Sequence, residues 1–182
     1  MTEETIKFIE NWESKLAESK DDNLGADFDI FNTLYTINNR LQREVFEELK
    51  SKGSLPKQRY SDYEKATSIL IEYLTTKIII DKLVAEDRIE QASQISTLIK
   101  NKVFHINLAD GIPQIDADEQ LADNLISTDV DIKAKAILSV IYNVRCNMVH
   151  GHKDFENYQS LLVKPLSSIL SIINELLKNK LT

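Results

Sequence analysis

Between Tyr142 and Lys153 the chain reads YNVRCNMVHGHK, a stretch that gathers Arg145, the only Cys (Cys146), Asn147, His150, Gly151 and His152. An Arg and a His that share one groove suit phosphodiester chemistry. The guanidinium fork binds phosphate and stabilises charge developing on it, while an imidazole titrating near neutrality moves a proton to or from a sugar hydroxyl. RNA carries its own nucleophile, the 2′-hydroxyl, so cleavage through a cyclic phosphate needs no metal, no cofactor and no protein nucleophile. Arg145 and His150 are five residues apart, which on an ideal helix separates them by roughly 140° of rotation. A helix that ends at Gly151 loosens that geometry and lets His150 swing out beside Arg145, because glycine takes up the left-handed backbone of a helix end without a Cβ clash.

Other chemistry in the same residues has to be weighed. A salt bridge or a charge complementing the helix C-terminus accounts for Arg145, and a C-terminal cap accounts for His150. Cys146 and His150 are four apart and share a helix face, as a thiolate and imidazole dyad would. Such a nucleophile, however, belongs at a helix N-terminus, where the dipole lowers the thiol pKa, and Cys146 is near a C-terminus. His150, His152 and Asp154 alternate as metal ligands sometimes do, but His105 is the only other histidine and lies far off in sequence. The chain has no Gly-rich phosphate loop, no Ser nucleophile in an elbow motif and no basic helix with aromatic interleaving.

The elements that must position this stretch are helices. In 182 residues there are four Gly and three Pro, and the abundance of Leu, Ile, Lys and Glu favours helix over turn. Ile6, Ile9, Trp12 and Leu16 recur at helical spacing. A second helix spans about 27–50 with Phe28, Phe31, Leu34, Tyr35, Leu41, Val45 and Leu49 inward, and KSKGSLPKQ stops it. Ser61 and Glu64 have capping-box spacing and open a third helix that continues to about Val84. A fourth follows, either separate from the third or continuous with it. The acidic connection from His105 to Asp129 is long enough to predict either a short helix near 117–125 or a functional loop. The fifth helix runs from Thr128 or Asp129 to about Val149 with Ile132, Ala136, Ile137, Val140 and Ile141 inward. Asp154 caps a sixth, which Pro165 should kink. The expectation is one all-α domain over residues 1–182, a bundle of five or six helices with the polar stretch at the turn between the last two.

Charge is unevenly distributed along the chain. The net charge is −7, which by itself disfavours a polyanionic partner. Residues 132–182, however, hold seven Lys and Arg against three acids, leaving the first 131 residues at −11. The polar stretch lies in the basic part, although segregation of this size also occurs on ordinary solvated helices. The short apolar runs and the acids at the N-terminus are read as a soluble, cytoplasmic protein with no membrane association. A single Cys fits a reducing compartment.

YNVRCNMVHGHK, late in a helical chain and followed by LLVKPLSSILSIINELL, resembles the HEPN domains, helical bundles of prokaryotic toxin and defence systems. Those domains carry an Arg, four to six intervening residues and then a His at a helix end; Arg145 and His150, with four residues between them, match the shortest spacing. FDIFNTLYTINNRL in the second helix is similar to the Phe-Asn-x-Leu-Tyr segment of the bacterial version. Family members often have a polar residue directly after the Arg, whereas here Cys146 stands there and Asn147 one later. The resemblance implies a metal-independent endoribonuclease, working as a homodimer in a toxin–antitoxin or antiviral defence setting, with an antitoxin or regulatory protein as a further partner. In that reading Arg145 holds the scissile phosphate, His150 is general base or acid, and Asn147 orients one of them or the substrate. Tyr142, His152 and Lys153 bind the RNA. The alternative is a non-catalytic HEPN-like interaction or nucleotide-binding module.

Overall fold

The computed structural model describes residues 1–18, 23–149 and 159–182. It is all-α apart from one short hairpin. The helices are α1 (Glu3–Glu18), α2 (Leu24–Ser51), α3 (62–74), α4 (Thr76–Ala85), α5 (Ile89–Lys100), α6 (Ile115–Leu125), α7 (Val130–Val149) and α8 (Ser160–Leu181). Between α5 and α6, β1 (Leu108–Ala109) pairs antiparallel with β2 (Ile112–Pro113). Eight helices among the described residues exceed the five or six expected, and the way the helices end explains the difference.

Asn23 caps α2, its side-chain oxygen accepting from the Ala26 N–H at 3.0 Å, and Gly53 closes it. With Gly53 at φ +67°, its N–H donates to the Lys50 carbonyl and the Ser54 N–H to the Leu49 carbonyl, both at 3.0 Å, which is the Schellman arrangement. The same pair of bonds ends α4, where Asp87 has φ +55°, and α5, where Lys102 has φ +56°. Neither stop carries a glycine. The third expected helix also divides, at Thr75, whose φ of +69° breaks the run between α3 and α4. At its other end α3 begins with the expected capping box: the Ser61 N–H donates to Glu64 Oε2 at 2.9 Å and the Glu64 N–H to Ser61 Oγ at 3.2 Å.

The longest helices carry the core. α2 packs along α8, and α7 packs on α3, α4 and α6. Phe31, Ile37 and Leu41 of α2, Leu74 of α3, Ile137 of α7 and Leu166 of α8 are fully buried, each burial stabilising by about 1.5–3 kcal/mol. Most of the expected inward residues of α2 and α7 are buried; Ile132 is not, at 43 % exposed. A polar chain crosses the α2–α8 seam. Asn38 Nδ2 donates to Asn174 Oδ1 at 2.8 Å, Gln42 Nε2 to Asn38 Oδ1, and Asn174 Nδ2 to the Leu34 carbonyl at 2.9 Å. α8 continues unbroken through Pro165, which sits in its second turn. By length and composition α8 would suit a bilayer, but 61 % of its apolar window is buried within the bundle.

Lys65–Ile69, a π-helical turn inside α3, packs against both α2 and α7. This turn touches both long helices, and residues of α2, α3 and α7 together line a groove.

Candidate functional site

That groove is where Arg145 lies. On α7, Tyr142 and Arg145 are three residues apart and share a face. The Arg145 guanidinium carbon is 5.4 Å from the centroid of the Tyr35 ring on α2, within cation–π range. Tyr35 is 5 % exposed, and burial raises its phenol pKa well above the ordinary value although the Arg145 charge opposes the shift. Arg145 forms no ion pair with a carboxylate among the described residues.

Two adjoining clefts make up the groove, one of about 390 Å³ and one of about 660 Å³. They share Tyr35, Asn39, Arg43 and Arg145. The first cleft also has Tyr142, Phe46 and Lys65, together with the acids Asp62 and Glu47. The second adds Phe8 and Arg40. Tyr142 meets Tyr63 edge to face at 5.4 Å between centroids, which fixes its ring against α3. Burial first, then a side-chain hydrogen bond with Cys146, pushes its phenol up to about 12, so it is a neutral group at physiological pH. The arrangement offers guanidinium forks and aromatic rings side by side, which is what a nucleic-acid strand requires of a protein: charge for the backbone and π-faces for the bases.

Asn147 occupies a different setting. It is 6 % exposed, and its Nδ2 donates to the Ile106 carbonyl at 2.9 Å. One turn earlier, Asn143 Nδ2 donates to Asn107 Oδ1 at 3.0 Å. On the other side of that loop Asp118, from α6, accepts from the N–H groups of Ile106 and Asn107 at 3.1 and 2.7 Å and from Asn107 Nδ2 at 3.0 Å. His105 Nδ1 is 3.2 Å from the second Asp118 oxygen. The two asparagines therefore grip a loop that α6 holds from behind, and this fastens the last turns of α7. An apolar cavity of about 390 Å³ lies beside Asn147, lined by Phe28, Phe104, Val144, Met148 and Leu162 among others, with Asp29 the one charged residue among its described lining. It suits an apolar group, not a phosphate.

Of the residues selected from sequence, Arg145 and Tyr142 line the groove and Asn147 holds the loop. His150, Gly151, His152, Lys153 and Asp154 lie outside the described residues. Sequence reading missed Tyr35 and Arg43 as site residues. The signal that could have found them was spacing: Tyr35, Asn39 and Arg43 recur at i, i+4 and i+8 and so fall on one stripe of α2. Comparison with family models, with curated proteins and with solved structures gave no match to this chain.

Proposed function

We propose that the chain is a metal-independent endoribonuclease of the HEPN type, acting as a homodimer in a toxin or antiviral defence system and restrained by an antitoxin or other regulatory protein. Arg145 holds and polarises the scissile phosphate, and His150, five residues on, serves as general base towards the 2′-hydroxyl or general acid towards the leaving oxygen. His152 and Lys153 add charge along the strand, and Tyr142 offers a ring to a base. One observation carries the reading: Arg145 lies over the buried Tyr35 ring, without a carboxylate partner among the described residues, in a groove that also presents Arg43 and Tyr142. A structural Arg is commonly paired with a local acid, whereas this one has no such partner among the described residues.

The test is incubation of purified protein with a mixed RNA pool in EDTA, alongside Arg145→Ala and His150→Ala. The expected result is 2′,3′-cyclic phosphate ends from the parent and a loss of at least about 100-fold in rate from either variant, the usual scale of a general acid or base. Equal cleavage by parent and variants would assign the activity to a contaminant and sink the proposal. A second reading, a non-catalytic module that binds RNA or a nucleotide, draws on Asn147, whose amide is committed to the Ile106 carbonyl. It expects binding that Arg145→Ala weakens and no cleavage by any form.

A further inference from the structure

Among the described residues, four cations line the two clefts: Arg40, Arg43, Lys65 and Arg145. They differ in what already holds them. Arg40 pairs with Glu4 at 3.3 Å, donates to Thr5 Oγ1 at 2.8 Å and lies over the Phe8 ring. Lys65 pairs with Asp62 at 3.2 Å and lies over Phe46. Arg145 has, among the described residues, only the Tyr35 ring. Arg43 is exposed and makes no hydrogen bond, ion pair or ring contact within the described residues, although it lines both clefts.

A cation already paired with a carboxylate gains little from a phosphate, because the incoming anion must displace the resident one. Two guanidinium groups that line the same clefts and have no carboxylate partner among the described residues make a different device. We propose that Arg43 binds a second phosphate of the same strand that Arg145 engages, so that the groove recognises consecutive phosphates of a single-stranded RNA rather than an isolated nucleotide. This rests on the reading of the groove as an RNA site. It assigns Arg43 to binding and not to the chemical step. Tyr142 is the one groove ring on α7, and no cation covers it among the described residues. Phe46 lies under Lys65 and Tyr35 under Arg145.

The experiment measures affinity for a 2′-O-methyl oligoribonucleotide, which cannot be cleaved, at salt concentrations from about 50 to 200 mM. Each phosphate contact on a single strand contributes about 0.7 to the slope of log K against log salt. Arg43→Gln is expected to weaken binding by roughly tenfold at the lowest salt and to reduce the slope by about 0.7. Arg40→Gln, the control for a cation that is already paired, should leave the slope unchanged. Melting temperature checks folding, and the exposed, uncontacted Arg43 should leave it at the parental value. An unchanged slope in Arg43→Gln, or the same loss in Arg40→Gln, overturns the inference. Displacement of the RNA by polyglutamate of matched charge would also overturn it, pointing to an acidic peptide as the ligand. Binding of this oligonucleotide together with no cleavage of unmodified RNA by the parent removes the nuclease reading and leaves the two-phosphate clamp standing; cleavage of unmodified RNA with an unchanged slope in Arg43→Gln removes the clamp alone.

Discussion

Removal of the Asp118 carboxylate should be among the most damaging single changes to this fold, and the structure allows the cost to be worked out. Asp118 is 3 % exposed and accepts from the backbone N–H groups of Ile106 and Asn107 and from Asn107 Nδ2. Asp118→Ala strands two backbone donors, one of them on Ile106, itself 1 % exposed. Each buried donor left unsatisfied costs about 1–3 kcal/mol. Water entering beside Asn107 offsets part of this, leaving about 2–4 kcal/mol. For a chain of this size about 1 kcal/mol moves the melting temperature by about 2–4 °C, so Asp118→Ala should melt roughly 10 °C below the parent. Asp118→Asn keeps an acceptor of the same shape for the backbone donors and loses the charge; its expected cost is about 1–2 kcal/mol. His105→Ala removes a half-buried contact at the rim, and its expected cost is under about 1 kcal/mol. The assay is thermal and urea unfolding of the three variants, with amide hydrogen exchange along α7. Because Asn143 and Asn147 hold the same loop, its release should raise exchange in the last turns of α7. A melting temperature for Asp118→Ala within about 2 °C of the parent, or equal losses for Asp118→Ala and His105→Ala, would refute the reasoning.

Two further outcomes follow from local geometry. Gly53 sits at φ +67°, and a Cβ added there would meet nothing within 4 Å, so Gly53→Ala should cost about 1 kcal/mol in urea unfolding through backbone strain alone, and Gly53→Asn clearly less. Burial and then donation to Glu48 raise the Tyr73 phenol to about 12, Tyr142 is raised similarly, and Tyr35 is raised as well. Folded-state values above the unfolded value of 10 mean that the stability these groups contribute is intact below pH 10 and is lost as pH climbs through 12. Phenolate absorbance should therefore lag for these three of the six tyrosines until helical circular dichroism falls; simultaneous ionisation near about pH 10 with helicity retained would contradict this.

The fold class and most helix positions could be read from sequence because they rest on periodicity, which needs no tertiary information. α2 and α7 are of this kind; the capping box rests on the Ser61–Glu64 spacing, and at 117–125 the length of the connection left a short helix or a functional loop, of which the helix is found, as Ile115–Leu125. The stops at Asp87 and Lys102 and the break at Thr75 could not be read the same way. Each puts a residue with a Cβ at positive φ, where glycine is the usual signal; Asp tolerates that region better than most, but Lys102 and the β-branched Thr75 give no local sign of it. The hairpin is a different case. Asp110 and Gly111 both have positive φ, and Asp-Gly is the usual pair for a two-residue hairpin turn, so the signal was present in ADGIP but was outweighed by the acidic, loop-like composition around it.

The site divides along the same line. Arg145 and Tyr142 stand out in sequence because polar residues in a helix whose apolar residues are mostly Val, Ile and Ala are conspicuous, and Asn147 stands out for the same reason. Only the fold separates them, sending Arg145 to the groove and Asn147 to the loop at Ile106. Charge summed along the chain assigns α2 to the acidic part, whereas charge summed over a surface sets Arg40 and Arg43 of α2 beside Arg145 of α7. What a polyanion meets is the local field within a Debye length of about 8–10 Å, not the total. A net charge of −7 is therefore compatible with a groove that attracts phosphate, provided the cations there are unpaired. If the groove takes a strand as proposed, Arg43 and Arg145 are the two cations lining it that have no carboxylate partner among the described residues.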